Sequence, residues 1–129
     1  MHYTGIDIIE IARIEKAIAH WGEGFLHRIY TGPELKLCCK KPSSLAARFA
    51  GKEAVIKAIG TQTKGIRWRE IEILADLSGK PFVHLYGKAQ NQADSLGLDK
   101  LAISLSHSKE YAVAFVVGET KRLNPDLSC

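Results

Sequence analysis

The sequence has few cysteines and no long hydrophobic run. Cys38 and Cys39 are adjacent and Cys129 is the last residue, so the three cysteines form neither a paired disulfide framework nor a metal-ligand spacing. We expect reduced thiols. No apolar run approaches the roughly 18 residues of a membrane span, and the N-terminal region, with Asp7 and Glu10 near its start, lacks a signal-peptide pattern. These absences predict a cytoplasmic protein without a membrane partner.

The chain also lacks a concentrated block of basic residues. Its formal net charge is +4, and the lysines and arginines are spread along 129 residues without an arginine-rich or aromatic-interleaved basic segment. Nucleic acid is therefore not an expected partner. A moderately basic surface suits an acidic protein or a phosphorylated small molecule instead. The length and the apolar fraction of 46% indicate one domain with a hydrophobic core.

Residues 43–60 give the clearest secondary-structure signal, and the rest of the chain is organised around them. Apolar residues recur there at helical spacing, Ser43 or Ser44 can cap the N-terminus, and Gly60 can end the helix. The pattern predicts one long amphipathic helix at the centre of the fold.

One carboxylate falls on the predicted apolar face of this helix. At about 100° per residue, Leu45, Phe49 and Ile56 share an arc that also contains Glu53. Lys57 follows one turn later. Either Glu53 pairs with Lys57 at a solvated edge, or a cation, a metal or several hydrogen bonds compensate a carboxylate on the core-facing side.

The remaining elements predict an α+β fold, a single domain with a mostly antiparallel sheet packed against helices. Residues 2–9 have the pattern of a strand, and its Asp7 is either a buried carboxylate that needs a partner or, like Glu10, an anion at the start of the next helix. Further helices are predicted at 11–19, 25–30, 31–37 and 87–96, and further strands at 66–75, 82–86, 101–106 and 111–117. We place the domain at residues 1–118 and a polar tail at 119–129.

Three polar side chains stand at element ends or on an apolar face: Asp7, Glu53 and His107. Asp7 and Glu53 together suit a hard divalent ion such as magnesium, which takes one or two carboxylates and completes its coordination with water and substrate phosphate. His107, beside Ser106 and Ser108 at a predicted strand end, offers a donor for a phosphate or a site for proton transfer. The alternative is a turn histidine that bonds to local backbone.

Two segments in this order resemble the signature of the 4′-phosphopantetheinyl transferases. Gly5-Ile6-Asp7 is followed about 45 residues later by Arg48-Phe49-Ala50-Gly51-Lys52-Glu53-Ala54-Val55-Ile56-Lys57. The segment Ser106-His107-Ser108-Lys109-Glu110-Tyr111-Ala112 and the turn Ser78-Gly79-Lys80-Pro81 resemble the small stand-alone branch, the holo-acyl-carrier-protein synthases. The resemblance extends from Tyr3 to Val117.

The resemblance implies transfer of the 4′-phosphopantetheine arm of coenzyme A to a serine of apo acyl carrier protein, with release of adenosine 3′,5′-bisphosphate, in fatty acid biosynthesis. It implies that Asp7 and Glu53 bind Mg²⁺ and that Asp7, Glu53 and Lys57 are the catalytic residues. Glu53, or a metal-bound water that it orients, is the candidate base for the serine proton. The resemblance does not decide between Glu53 and the metal-bound water as the base.

The resemblance also implies binding roles for residues outside this trio. The expected coenzyme A contacts are Arg48, Lys57, His107 and Ser108. The expected carrier-protein contacts are Arg13, Lys16 and Arg28. Because carrier proteins are acidic, a basic docking surface would raise the encounter rate. Similar members are trimers with coenzyme A between neighbouring subunits, so we expect a homotrimer. The alternative function is a non-catalytic module of the same fold that binds carrier proteins.

Overall fold

The computed structural model describes residues 1–60 and 65–121. Its elements follow in the order β1 (His2–Glu10), α1 (Ile11–Trp21), α2 (Glu23–Ile29), α3 (Gly32–Cys38), α4 (Pro42–Ile59), a 3-10 helix (Trp68–Glu70), β2 (Ile71–Ala75), β3 (Pro81–Leu85), α5 (Gly87–Ser95), β4 (Leu98–His107) and β5 (Tyr111–Thr120). Within these residues no helix has the length and apolar character of a membrane span. The predicted α+β class and the long central helix are confirmed.

The described strands form two antiparallel sheets, whereas one sheet was expected. In the larger sheet β5 lies between β1 and β4. Its register sets Asp7 opposite Ala114, and His107 opposite Ala112. β2 and β3 pair only with each other, as a hairpin. The larger sheet packs one face against α4, where Ala112, Ala114 and Val116 of β5 are completely buried.

α4 is enclosed on several sides by the rest of the chain. It packs against the larger sheet, β2, α1 and α3. The predicted amphipathic pattern is therefore wrong, because buried residues surround most of the helix. Small residues make this possible, since they let neighbouring elements approach closely. The buried positions are Leu45, Ala46, Ala47, Ala50, Gly51, Lys52, Ala54, Val55, Ala58 and Ile59.

The predicted C-terminal end of α4 agrees with the structure, whereas the predicted N-terminal cap does not. Pro42 lies in the first turn, where its missing N–H removes no helical hydrogen bond. The N-cap residue, Lys41, makes no side-chain cap. The predicted serine cap is therefore wrong, since Ser43 and Ser44 lie inside the first turn. Gly60 ends the helix as predicted, with a positive φ of 84°.

A glycine sets the distance between β1 and α4. A Cβ atom on Gly5 would collide with the backbone carbonyl oxygen of Ala54. A larger residue therefore does not fit unless the strand and the helix separate. Asp7 lies two residues further along β1, so its side chain is on the same face of the strand. The close approach at Gly5 thus brings Asp7 towards α4.

A completely buried ion pair joins α4 to α3 and β2. Lys52 and Glu34 have no exposed side-chain surface, and Lys52 Nζ donates to Glu34 Oε1 over 2.7 Å. The same ammonium donates to the carbonyl oxygens of Trp68, at 3.1 Å, and Ile71. Glu34 Oε2 accepts the N–H of Ile73 at 2.8 Å. Burial lowers the pKa of Lys52, and the charge of Glu34 opposes that change. These contacts compensate two charges that water no longer solvates.

The buried polar network continues into the β2–β3 hairpin. Thr31 and Glu34 form a capping box, in which Thr31 Oγ1 accepts the N–H of Glu34 and Glu34 Oε1 accepts the N–H of Thr31. Thr31 Oγ1 donates to Glu72 Oε2 over 2.6 Å, and the Tyr86 hydroxyl donates to Glu72 Oε1 over 2.9 Å. Side chains from α3, α4 and the hairpin are therefore held in one arrangement.

Three boundaries differ from the sequence-based expectation by three residues or more. β4 begins at Leu98 and not at residue 101. The strand predicted at 66–75 begins at Ile71, because the preceding three residues form the 3-10 helix. β5 continues past Gly118, so Glu119 and Thr120 of the predicted tail belong to this strand. Lys121 follows the strand, and residues 122–129 of that tail lie outside the described residues.

Replacing Lys52 tests the contribution of the buried ion pair. We expect Lys52→Met to lower the free energy of unfolding by about 3–5 kcal/mol, because Glu34 would keep a buried charge without its cation. Lys57→Met, in the same helix, removes a half-exposed ammonium and should cost less than about 1 kcal/mol. Urea denaturation of both variants measures the difference. Equal losses would contradict the importance given to the buried pair.

Candidate active site

A cleft of about 440 Å³ lies between β1, α1 and α4. Its polar lining is Asp7, Arg13, Glu53 and Lys57. Ile14, Phe25 and Phe49 contribute apolar walls. The fold thus brings the three predicted catalytic residues into one cavity, although Lys57 and Asp7 are 50 positions apart in the sequence. An ionisable cluster in a partly apolar cleft is typical of an active site.

Asp7 is held by the cation that follows Glu53 on α4. Lys57 Nζ lies 3.1 Å from Asp7 Oδ1 and donates a second hydrogen bond, of 3.0 Å, to the carbonyl oxygen of Ile6. The Asp7 side chain is only 18% exposed. Asp7 is therefore the partnered, buried carboxylate of the two sequence alternatives. It does not start the next helix, because the N-cap residue of α1 is Glu10, which makes no side-chain cap.

Glu53 has a different environment from Asp7. Burial raises the pKa of Glu53, the nearby charge of Asp7 raises it further, and Lys57 opposes both. Lys57 forms its ion pair with Asp7 and not with Glu53, so the predicted i,i+4 pair on the helix surface is not formed. Within residues 1–60 and 65–121, no hydrogen bond or ion pair compensates the Glu53 carboxylate. The cleft therefore makes ionisation of Glu53 less favourable than it is in water.

Asp7 and Glu53 are the two carboxylates that could hold a metal ion in this cleft. Among the described residues, no group of three or more histidine, cysteine, aspartate or glutamate residues forms a metal cluster. Magnesium needs only one or two carboxylates, since water and phosphate oxygens complete its octahedron. A cation between the carboxylates would also relieve the repulsion that raises the pKa of Glu53. The donor set therefore fits magnesium with a phosphate ligand and does not fit a structural zinc site.

His107 and Ser108 lie at the turn between β4 and β5 and do not line this cleft. The Ser108 hydroxyl accepts the N–H of Tyr111 at 3.2 Å and that of Glu110 at 3.4 Å. The N–H of Ile11 donates to the Glu110 carbonyl over 2.8 Å, which fixes the turn at the start of α1. The His107 side chain is exposed and makes no hydrogen bond to any described residue. The alternative of a histidine bonded to local backbone is therefore not supported.

Arg48 also lies outside the cleft, on another side of α4. Its Nε atom is buried and has no hydrogen-bond partner in the part of the chain that the structure describes. Burial raises the pKa of the Cys38 thiol, and the charge of Arg48 partly opposes that rise, so the two side chains are neighbours. The coenzyme A contact of Arg48 remains a prediction.

The expected carrier-protein contacts fall at two places. Arg13 lines the cleft, and Lys16 is exposed further along α1. Arg28 instead lines a second cavity, together with Arg67 and Arg69. The sequence analysis did not identify the last two as binding residues, because it interpreted their segment as a half-buried strand. Arginines on both sides of Trp68 were the available signal.

The sequence analysis also placed the wrong charge on the buried side of α4. Glu53 was expected there, whereas Lys52 is completely buried and Glu53 is partly exposed at the cleft. Helical spacing alone could not separate them, since the helix is buried on most sides. No local signal in the sequence indicates the partner of Lys52, because Glu34 is 18 positions away.

Comparisons with known proteins identify the family to which this chain belongs. The family model of the 4′-phosphopantetheinyl transferase superfamily matches residues 3–116. A holo-[acyl-carrier-protein] synthase of Dehalococcoides mccartyi is 55% identical over 119 residues, which cover 92% of this chain and 99% of that protein. The corresponding protein of Herpetosiphon aurantiacus is 47% identical over 125 residues, with 92% and 98% covered.

Solved structures have the same fold. Helicobacter pylori holo-[acyl-carrier-protein] synthase, in complex with coenzyme A, matches with a TM-score of 0.82 and 35% identity over 90% of this chain and 99% of that one. The Neisseria meningitidis synthase matches with a TM-score of 0.81 and 36% identity over 92% and 98%. The chain therefore belongs to the 4′-phosphopantetheinyl transferase superfamily, among its holo-acyl-carrier-protein synthases.

Proposed function

We propose that this chain transfers the 4′-phosphopantetheine arm of coenzyme A to a serine of apo acyl carrier protein, in the cytoplasm and for fatty acid biosynthesis. The products are the holo carrier protein and adenosine 3′,5′-bisphosphate. The single observation that supports this most strongly is the meeting of Asp7, Glu53 and Lys57 in one cleft. These are the residues of the two-part signature that have the chemistry for phosphate transfer.

The residues of the cleft match the charges that the reaction must handle. The serine oxygen attacks the phosphorus that bears the pantetheine arm, the pyrophosphate bond breaks, and the serine proton must leave. Magnesium, held by Asp7 and Glu53, would supply neutralisation of the phosphate charge. Lys57 is placed beside Asp7 to contact a phosphate oxygen. The raised pKa of Glu53 brings this carboxylate closer to the range of an effective general base.

A homotrimer would complete this site. The outward face of the larger sheet is apolar and exposed: Ile6 and Ile8 of β1 are 59% and 61% exposed, and Phe115 of β5 is 43% exposed. Isolated exposed apolar residues are common, but three on one sheet face favour an interface between subunits. A neighbouring copy could then bring His107 and Ser108 to the cleft from which they are absent within one chain. Coenzyme A would lie between subunits.

The expected docking residues Arg13 and Lys16 fit this arrangement. Arg13 is in the wall of the cleft and Lys16 is exposed on the same helix. A carrier protein seated over α1 would present its serine to the cleft, and its acidic surface would meet these cations. Arg28 would extend the contact onto α2.

The direct test is the mass of an apo acyl carrier protein after incubation with this chain, coenzyme A and magnesium. We expect a gain equal to one phosphopantetheine arm, and no gain when a chelator removes the metal. A folded chain that modifies none of several carrier proteins would contradict the transferase and favour the non-catalytic binding module.

Replacing Glu53 separates its catalytic role from its structural one. We expect Glu53→Gln to lose magnesium-dependent transfer and to be more stable than the parent at pH 7. The sign follows from the raised pKa: the folded state disfavours the ionised carboxyl, so a penalty is present above the folded pKa and disappears below the ordinary value of 4.5. The stability gain should therefore vanish near pH 4, as measured by urea denaturation at both pH values.

The control for this substitution is Asp99→Asn, which neutralises an exposed carboxylate outside the cleft. It should leave transfer unchanged. Wild-type turnover in the Glu53→Gln variant would remove Glu53 from the metal site and from the role of base.

A charge on the exposed sheet face tests the trimer. We expect Ile6→Asp to convert a trimer into monomers in sedimentation equilibrium, because each interface would then bury a carboxylate, and Ile6 does not line the cleft. Transfer should be lost with the trimer, since His107 of the neighbour would no longer reach the cleft. The matched control is Leu37→Asp on α3, also an exposed apolar residue. A parent chain that is monomeric and active would contradict the shared site.

A further inference from the structure

A second cavity, larger than the catalytic cleft, lies between α2 and the 3-10 helix. It measures about 640 Å³, and we refer to it as the arginine groove. Arg28 enters it from α2, and Arg67 and Arg69 flank Trp68 at the other side. The residues that line the groove are His27, Arg28, Thr31, Ile66, Arg67, Trp68, Arg69 and Glu70.

The three arginines of the groove outnumber its one acidic lining residue, Glu70. All three are exposed, and none forms an ion pair within residues 1–60 and 65–121. The Glu70 carboxylate is held by backbone groups and not by the guanidinium groups, so the lining keeps an excess of positive charge. Glu70 accepts the N–H groups of Arg67, at 3.2 Å, and Ala89, at 3.1 Å.

Two other carboxylates near the groove are also occupied. Glu72 is buried and accepts hydrogen bonds from Thr31 and Tyr86. Glu23, at the start of α2, contacts His27 at 3.1 Å and Lys40 at 3.2 Å. The groove therefore presents a positive potential to an approaching molecule.

The groove adjoins the catalytic cleft through shared walls. α2 contributes Phe25 to the cleft and Arg28 to the groove. Phe49 of the cleft stacks on Trp68 of the groove, with 5.1 Å between ring centroids and 29° between ring planes. A single protein surface laid across α2 could therefore cover both openings at once.

We propose that the arginine groove binds an acidic surface of the protein substrate, with Arg67 and Arg69 as its principal contacts. This inference rests on the proposed function, because it assumes that a protein delivers its serine to the adjoining cleft. The exposure of all three guanidinium groups favours a protein over a small anion, for which a binding site needs buried, convergent donors. Exposed charges of this kind accelerate encounter and select the partner. The groove thus extends docking beyond α1 and α2 to the 3-10 helix.

The test is charge reversal in the variant Arg67→Glu/Arg69→Glu, with apo acyl carrier protein as substrate. We expect its KM for the carrier protein to rise about tenfold at low salt, with kcat and the KM for coenzyme A essentially unchanged. The increase should shrink as salt is added, because the contacts are electrostatic and exposed. Arg67→Gln/Arg69→Gln should show a smaller change in the same direction, and circular dichroism checks that both variants are folded.

The matched control is Lys36→Glu/Lys100→Glu, which makes the same change in net charge at exposed positions outside both cavities. An equal rise in the KM for the carrier protein in this control would overturn the proposed role of the groove, because the effect would then depend only on net charge. A rise in the KM for coenzyme A, with none for the carrier protein, would overturn it in favour of a nucleotide contact.

Direct binding separates this inference from the proposed function. A carrier protein whose acceptor serine is replaced by alanine cannot be modified, so its affinity reports docking alone. Calorimetry should show weaker binding to the arginine variant than to the lysine control. Unchanged binding would overturn the proposed role of the groove even if transfer is observed. Absence of transfer by the parent chain would reject the proposed function. The binding result would then decide separately whether the groove docks the carrier protein.

Discussion

The structure depends on one buried ion pair, Lys52–Glu34, at the centre of the molecule. Two charges without exposed surface are unfavourable unless every donor and acceptor is satisfied. Here the ammonium and the carboxylate are satisfied only when α3, α4, the 3-10 helix and β2 are all in position. A purely apolar core would tolerate small shifts of α4 along its axis, whereas directional hydrogen bonds do not. The residue after Lys52 is Glu53, so the same contacts fix the position from which the Glu53 carboxylate enters the candidate site.

The negative charges of Asp7 and Glu53 repel each other in the candidate site. Asp7 raises the pKa of Glu53, and Lys57 is engaged by Asp7. A ligand that brings both a cation and phosphate oxygens would satisfy all three side chains, because the cation meets the carboxylates and the phosphate meets the ammonium. The stability of the rigid framework around the cleft keeps these groups close despite their repulsion. Such unfavourable arrangements are common where a site is organised for its transition state.

The sequence alone predicted much of this fold, and the errors have physical causes. The strands, most helices and the residues of the cleft followed from periodicity and from the signature. The helix α4 was misjudged because small residues let it be buried on most sides, which removes the amphipathic pattern that periodicity detects. Trp68 and its neighbours alternate like a strand, yet hydrogen bonding of a backbone carbonyl to Lys52 accompanies a 3-10 turn there. A contact between residues distant in sequence decides that conformation, so local pattern could not reveal it.

Gly5 shows how a residue without a side chain can control chemistry at a distance. The β1 backbone at Gly5 lies directly against the Ala54 carbonyl oxygen. A single added methyl group at this position would force β1 and α4 apart. Asp7 moves with the strand and Glu53 moves with the helix. The glycine of the signature therefore sets the distance between Asp7 on β1 and Glu53 on α4. Two carboxylates from different elements can therefore be brought close enough to share one ion by removing atoms between the elements, at a position that has no side chain of its own.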